Sequence, residues 1–151
     1  MINIFLFTSY FGKLKSLPKS IIPISICAKT PEWYKGPQYK KLAPKYDFFM
    51  EWKKNQDNNY YVKCFNEQVL SNLEPFHVYK NLYDIAQDFV ASLPEDDTRK
   101  KLHEIGTPYC VALICYEKPE DFCHRHLVAD WLTSSGFRCT EWQNSETIGH
   151  A

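Results

Sequence analysis

The chain has 151 residues, and its 18 basic and 18 acidic side chains give a formal net charge of zero. That balance excludes the basic excess of a general polymeric nucleic-acid binder, and no apolar run approaches the roughly 20 residues that span a bilayer. The length suits one domain. The one departure from ordinary composition is aromatic: ten Phe, ten Tyr and four Trp, side chains that fill cores and also line ligand sites.

The pattern along the chain predicts a single α/β domain over 1–143 and a flexible tail over 144–151. Asn3 to Thr8 is short and β-rich and reads as a strand. Phe11 to Pro18 reads as a short helical turn and a loop. Ile21 to Cys27 is a second β-branched run, with Pro23 where a strand tolerates it. Ala28 to Pro44 holds three prolines and a glycine, which exclude a regular element over most of it. A segment of that length without structure of its own is functional or disordered, and its aromatics and lysines disfavour disorder.

Helices follow over Pro44–Lys54 and Asn59–Leu73, the latter with Tyr61, Cys64 or Phe65, Val69 and Leu73 on one stripe. Pro75 starts another, running through Val78, Leu82, Ala86 and Phe89. Pro94 starts a shorter one with an acidic first turn, and Gly106 ends it. Tyr109 to Tyr116 is the strongest strand. Pro119 starts a last helix that stops at Gly136, and Phe137 to Trp142 alternates like an edge strand. Strands alternating with helices predict a small Rossmann-like, three-layer α/β domain with a mainly parallel sheet of about four strands.

Polar chemistry concentrates where the strand 109–116 meets the last helix, the kind of junction at which open α/β sheets bind ligands. Cys115 and Glu117 lie at the strand's end; Cys123, His124 and Arg125 lie in the helix's first turns. At 100° per residue, Cys123, Leu127, Val128, Trp131 and Leu132 cover one half of the helix. His124 falls inside that arc and Arg125 at its border. His124 is either a satisfied core histidine or a pocket lining. The helix N-terminus and Arg125 suit an anion, unless Glu120 and Asp121 in the same turn satisfy the helix end themselves. Glu117 is a general base, a hydroxyl acceptor, or the salt-bridge partner of Arg125 or Lys118.

Cys115 and Cys123 are nucleophiles only if a neighbour lowers their pKa. The six cysteines form no C-x-x-C pair and match no zinc template, so no metal and no cofactor is expected. The apolar opening Ile2 to Phe7 is short and lacks a basic segment before it. The expectation is therefore a cytoplasmic protein with reduced thiols. Six lysines between Lys35 and Lys54, interleaved with Tyr39, Tyr46 and Trp52, form a solvated face or an anion-attracting rim.

The run from Leu113 to Leu132 resembles the signature of domain-of-unknown-function family 488 (DUF 488). In that family a strand ends in Cys-x-Glu, and a Cys-His-Arg triplet opens a helix that runs into Ala-Asp. Cys115, Glu117, Cys123, His124, Arg125, Ala129 and Asp130 match it position by position. Two departures stand out. Ser9-Tyr10-Phe11 replaces the Gly-His-Ser of many members. Ser25 to Lys29 replaces an Asp-x-Arg, leaving Lys29 to supply that positive charge. The chain is thus similar to a divergent branch with a Trp33–Gly36 loop. The resemblance implies a Rossmann-like domain with one pocket at the strand ends, bordered by the turn Thr8, Ser9 and Tyr10, and no settled activity.

Three functional readings follow. In the first, the pocket binds a small anionic, nucleotide-like ligand: Arg125 and the helix end hold phosphate, Trp33, Tyr34 and Tyr39 stack on a base, and Glu117 or His124 hold ribose hydroxyls. Such a protein would sequester a nucleotide-derived signal, a job small phage proteins perform by analogy. In the second, a hydrolase or transferase acts on a nucleoside or nucleotide in the same pocket, with Glu117 or His124 as base and Cys115 as nucleophile. The third is a protein-interaction module in which Cys123, His124 and Arg125 are structural. The missing His and Arg of the family pattern favour binding over catalysis. A homodimer stays open.

Overall fold

Val111 to Cys115 are fully buried without interruption, the signature of a strand covered on both faces. This is β3 (Tyr109–Cys115). Leu113 and Ile114 at its centre each contribute about 1.5–3 kcal/mol by leaving water. The structure, a computed structural model, describes residues 3–143; the tail expected over 144–151 lies outside them. β3 pairs on one side with β1 (Ile4–Tyr10), in register from Ile4–Tyr109 to Tyr10–Cys115. On the other it pairs with β2 (Ile21–Ser25), from Ile21–Cys110 to Ser25–Ile114. β4 (Cys139–Glu141) joins the far edge of β1. The sheet is parallel throughout, in the order β2-β3-β1-β4, and the molecule is a small Rossmann-like α/β domain.

The strands differ from expectation at their ends. β1 runs two residues further, to Tyr10, because β3 offers a partner as far as Cys115. β2 stops at Ser25 instead of Cys27. Pro23 sits mid-strand, which the edge position of β2 permits. Ala28 to Pro44 is irregular as its prolines demand, with one tight turn at Lys40–Leu42 and one bridge from Ser25 to Gln38.

The helices are α1 (Tyr46–Asn55), α2 (Asn58–Gln68), α3 (Pro75–Ala91), α4 (Thr98–Glu104) and α5 (His124–Ser134). Two of them start later than the prolines suggest. At α4 the chain first makes a turn, Asp97 N–H donating to the Pro94 carbonyl at 3.0 Å. The Asp97 carboxylate then caps the helix by accepting from Arg99 N–H at 2.8 Å. At α5 a turn from Lys118 to Asp121 and an extended Cys123 (φ −156°) delay the start to His124. Glu120 and Asp121 therefore stand outside the helix. Gly136, at φ +94°, ends α5 in the left-handed conformation that favours glycine. The buried face of α5 is rotated from the expected arc. Arg125, Val128, Ala129 and Leu132 lie inside, while Leu127 and Trp131 are half-buried. Among the described residues no helix is long and apolar enough to cross a membrane.

Candidate ligand site at the strand ends

Cys27 follows β2, Cys115 ends β3 and Cys123 precedes α5, so parallel pairing carries three sulfurs to the carboxyl end of the sheet. Above them opens a cavity of about 550 Å³, within the range of small-molecule sites. Cys27, Cys123, His124 and Glu117 form its floor side, and α1 and α2 supply its aromatic wall. Trp52, Tyr61 and Phe122 meet there edge to face or tilted, with centroids 5.1–5.6 Å apart. Lys29 and Lys53 are the two cations at its border, and Lys53 Nζ lies 5.1 Å from the Phe49 ring centre.

His124 is buried against the floor. One ring nitrogen, Nε2, is 2.8 Å from the Ile26 carbonyl. A carbonyl only accepts, so Nε2 carries the hydrogen and donates. Cys115 Sγ lies against the ring, 3.6 Å from Nε2 and 3.8 Å from Nδ1, and Cys123 Sγ lies 4.0 Å from Nδ1. Hydrogen bonding from Cys115, with His124 beside it, holds the Cys123 thiol down at about 3. Burial pushes Cys115 well above the ordinary thiol range, and its bonds to Cys123 and Cys27 add to this. For His124, burial pulls the pKa down, but the Cys123 sulfur offsets it and the ring stands above its usual value. Burial raises the Glu117 carboxyl, and the Cys123 sulfur raises it further.

Of the twelve residues the sequence nominates for ligand binding, the cavity brings together Lys29, Glu117, Cys123 and His124. Cys115 lies beneath them, fully buried. Arg125 belongs elsewhere. Its Nε and Nη2 donate to the two carboxylate oxygens of Glu141 at 3.1 and 3.2 Å, and its Nη1 donates to the Glu117 carbonyl at 2.6 Å. Held by these bonds and at zero exposure, it does not line the cavity. The salt bridge expected between Glu117 and Arg125 is replaced by the one to Glu141, and Glu117 offers Arg125 only its backbone carbonyl.

Thr8 joins the same strut, its hydroxyl donating to Glu141 at 2.6 Å. Ser9 is buried, and the Tyr10 ring centre lies 5.8 Å from the Arg125 guanidinium. Tyr34 is a core residue whose hydroxyl bridges the Pro23 and Pro37 carbonyls. A Cβ on Gly36 would stand 2.5 Å from that oxygen, so the loop needs glycine there. Tyr39 is buried and accepts from Asn81 at 2.8 Å. Trp33 is exposed, packed edge-on against Phe11, and does not line the cavity. Trp33, Tyr34 and Tyr39, expected to stack on a base, therefore do not line the cavity; the aromatics that line it come from α1, α2, Tyr116 and the turn before α5. A signal for the α1 wall was present: Tyr46, Phe49, Met50 and Lys53 recur at i, i+3, i+4 and i+7, one helix face.

No protein-family model matches the chain, and neither a curated protein nor a solved structure does.

Proposed function

We propose that this protein binds a small, planar, anionic ligand of the nucleotide class in the cavity between α1, α2 and the β3–α5 turn. The observation that carries this reading is the lining itself: an aromatic wall of Trp52, Tyr61 and Phe122 with Lys29 and Lys53 at the border. Flat π-faces take a base whatever its edge chemistry, and two ammonium groups answer a phosphate as point charges. The phosphate site thus moves from Arg125 to the lysines. The likeness of Leu113–Leu132 to the DUF 488 signature supports a pocket at this end of the sheet.

A second reading, turnover of a nucleoside or nucleotide by a hydrolase or transferase, is favoured by Glu117, whose half-buried carboxyl lines the same cavity without an ion pair among the described residues. Incubation with a mixed pool of cellular nucleotides, recovery by filtration and mass spectrometry of the released material separate the two. An intact nucleotide supports binding, and a converted one supports turnover. Trp52→Ala is expected to weaken capture about 5- to 150-fold, the worth of one stacked base, while Trp33→Ala leaves it unchanged. Retention of nothing, or equal loss in both variants, rejects the site.

A further inference from the structure

We infer that Cys115 Sγ, Cys123 Sγ and His124 Nδ1 bind one zinc ion at the base of the cavity, with a fourth coordination position open toward it. The three ligand atoms lie within 4.8 Å of one another, and all three residues are buried. The two sulfur-to-Nδ1 distances are 3.8 and 4.0 Å. A tetrahedral zinc with Zn–S of about 2.3 Å and Zn–N of about 2.0 Å has a sulfur-to-nitrogen edge of about 3.6 Å. The Cys123-to-Nδ1 distance is within a few tenths of an ångström of that edge, whereas Cys115 Sγ, 3.6 Å from Nε2, must swing to the Nδ1 side of the ring to bind.

The tautomer is already correct. Because Nε2–H donates to the Ile26 carbonyl, the neutral ring keeps its lone pair on Nδ1, the nitrogen beside Cys123 Sγ, with the outer-shell bond that metal-ligating histidines characteristically make. The donor set, two thiolates and an imidazole, is borderline-soft, which selects zinc over magnesium or calcium. Cys123 and His124 line the cavity whereas Cys115 does not, so the vacant side of a three-ligand site faces the ligand space. Three protein ligands with one open position is the arrangement of zinc sites that meet a small molecule. The inference stands on these atoms and needs no nucleotide in the cavity.

Full-length protein made in zinc-supplemented medium and passed through gel filtration is expected to retain about one zinc per chain by elemental analysis. Chelated protein refilled with Co²⁺ is expected to show a thiolate-to-cobalt charge-transfer band and the intense visible bands of tetrahedral cobalt. Cys123→Ser should weaken Co²⁺ binding on the order of a hundredfold, and Cys139→Ser, a buried thiol on β4, should not change it. Should Cys123→Ser fail to fold by circular dichroism, the wild-type stoichiometry and spectrum decide alone. Less than about a tenth of an equivalent of zinc with no thiolate–cobalt band overturns the inference. So does alkylation of Cys123 by iodoacetamide in chelated protein at the same rate before and after zinc is restored, which would mark a free nucleophile instead.

Discussion

The guanidinium of Arg125 is fully buried and held at every nitrogen: Nε and Nη2 by the two carboxylate oxygens of Glu141, Nη1 by the Glu117 carbonyl and, at 3.6 Å, by the Cys123 sulfur. Burial disfavours the charge, but Glu141 offsets this and keeps the group protonated. Removing one member of such a pair strands the other in a low-dielectric site, at a cost of about 3–5 kcal/mol. Arg125→Met is therefore expected to lower stability by that amount in urea denaturation. The double variant Arg125→Met/Glu141→Leu should recover most of the loss, since no charge is left unpaired. An Arg125→Met protein of unchanged stability that has lost nucleotide capture would return the arginine to the ligand. Nothing in the local sequence marks this pairing, because Glu141 lies 16 positions away on β4 whereas Arg125 is on α5.

α2 shows how a helix end governs the cavity. Its capping residue, Asp57, accepts from the Tyr60 N–H at 3.1 Å. One turn on, Tyr61 packs edge-on to Phe122 at 5.1 Å, and beyond it Phe65 meets His124 at 5.6 Å. Asp57→Ala is expected to cost about 1 kcal/mol, read as a lower urea midpoint, and to weaken ligand capture because the wall moves with the helix end. Asp57→Asn, which keeps the acceptor, should be close to wild type. An alanine variant with an unchanged midpoint would show that tertiary contacts alone hold this end. The stripe over α2 was legible from its spacing. The stripe over α1 was equally regular, but a period states which residues share a face and not whether that face meets core, water or a cavity.

Taken as a whole, the molecule buries several groups that must stay neutral. Burial raises the Cys110 thiol to about 11 and the Cys139 thiol to about 12, from an ordinary 9.0, and raises the phenols of Tyr34 and Tyr61 as well. Below about pH 9 these thiols are protonated in both folded and unfolded chains, and their contribution to stability is flat. Between about pH 9 and pH 11 the unfolded chain releases protons that the folded chain retains, so stability falls as pH rises. From about pH 9 upward the melting temperature is expected to drop, by about 2–4 °C for each kcal/mol lost. A melting temperature constant to pH 11 would mean that these sulfurs are accessible to water when folded.

The α/β class, the parallel sheet and the strand–turn–helix junction at β3 were determined by local chemistry. An unbroken apolar run demands cover on both faces, prolines and glycines punctuate the helices, and a period of 3.6 marks their buried sides. Residue partnership came from elsewhere. Arg125 meeting Glu141, His124 meeting the Ile26 carbonyl, and α1 walling the cavity all join positions separated along the chain. The physical reason is that burial and hydrogen bonding are satisfied by whatever group the sheet order brings within about 3–4 Å. Here that order places β3 between β1 and β2 and so gathers three sulfurs and a histidine at one edge.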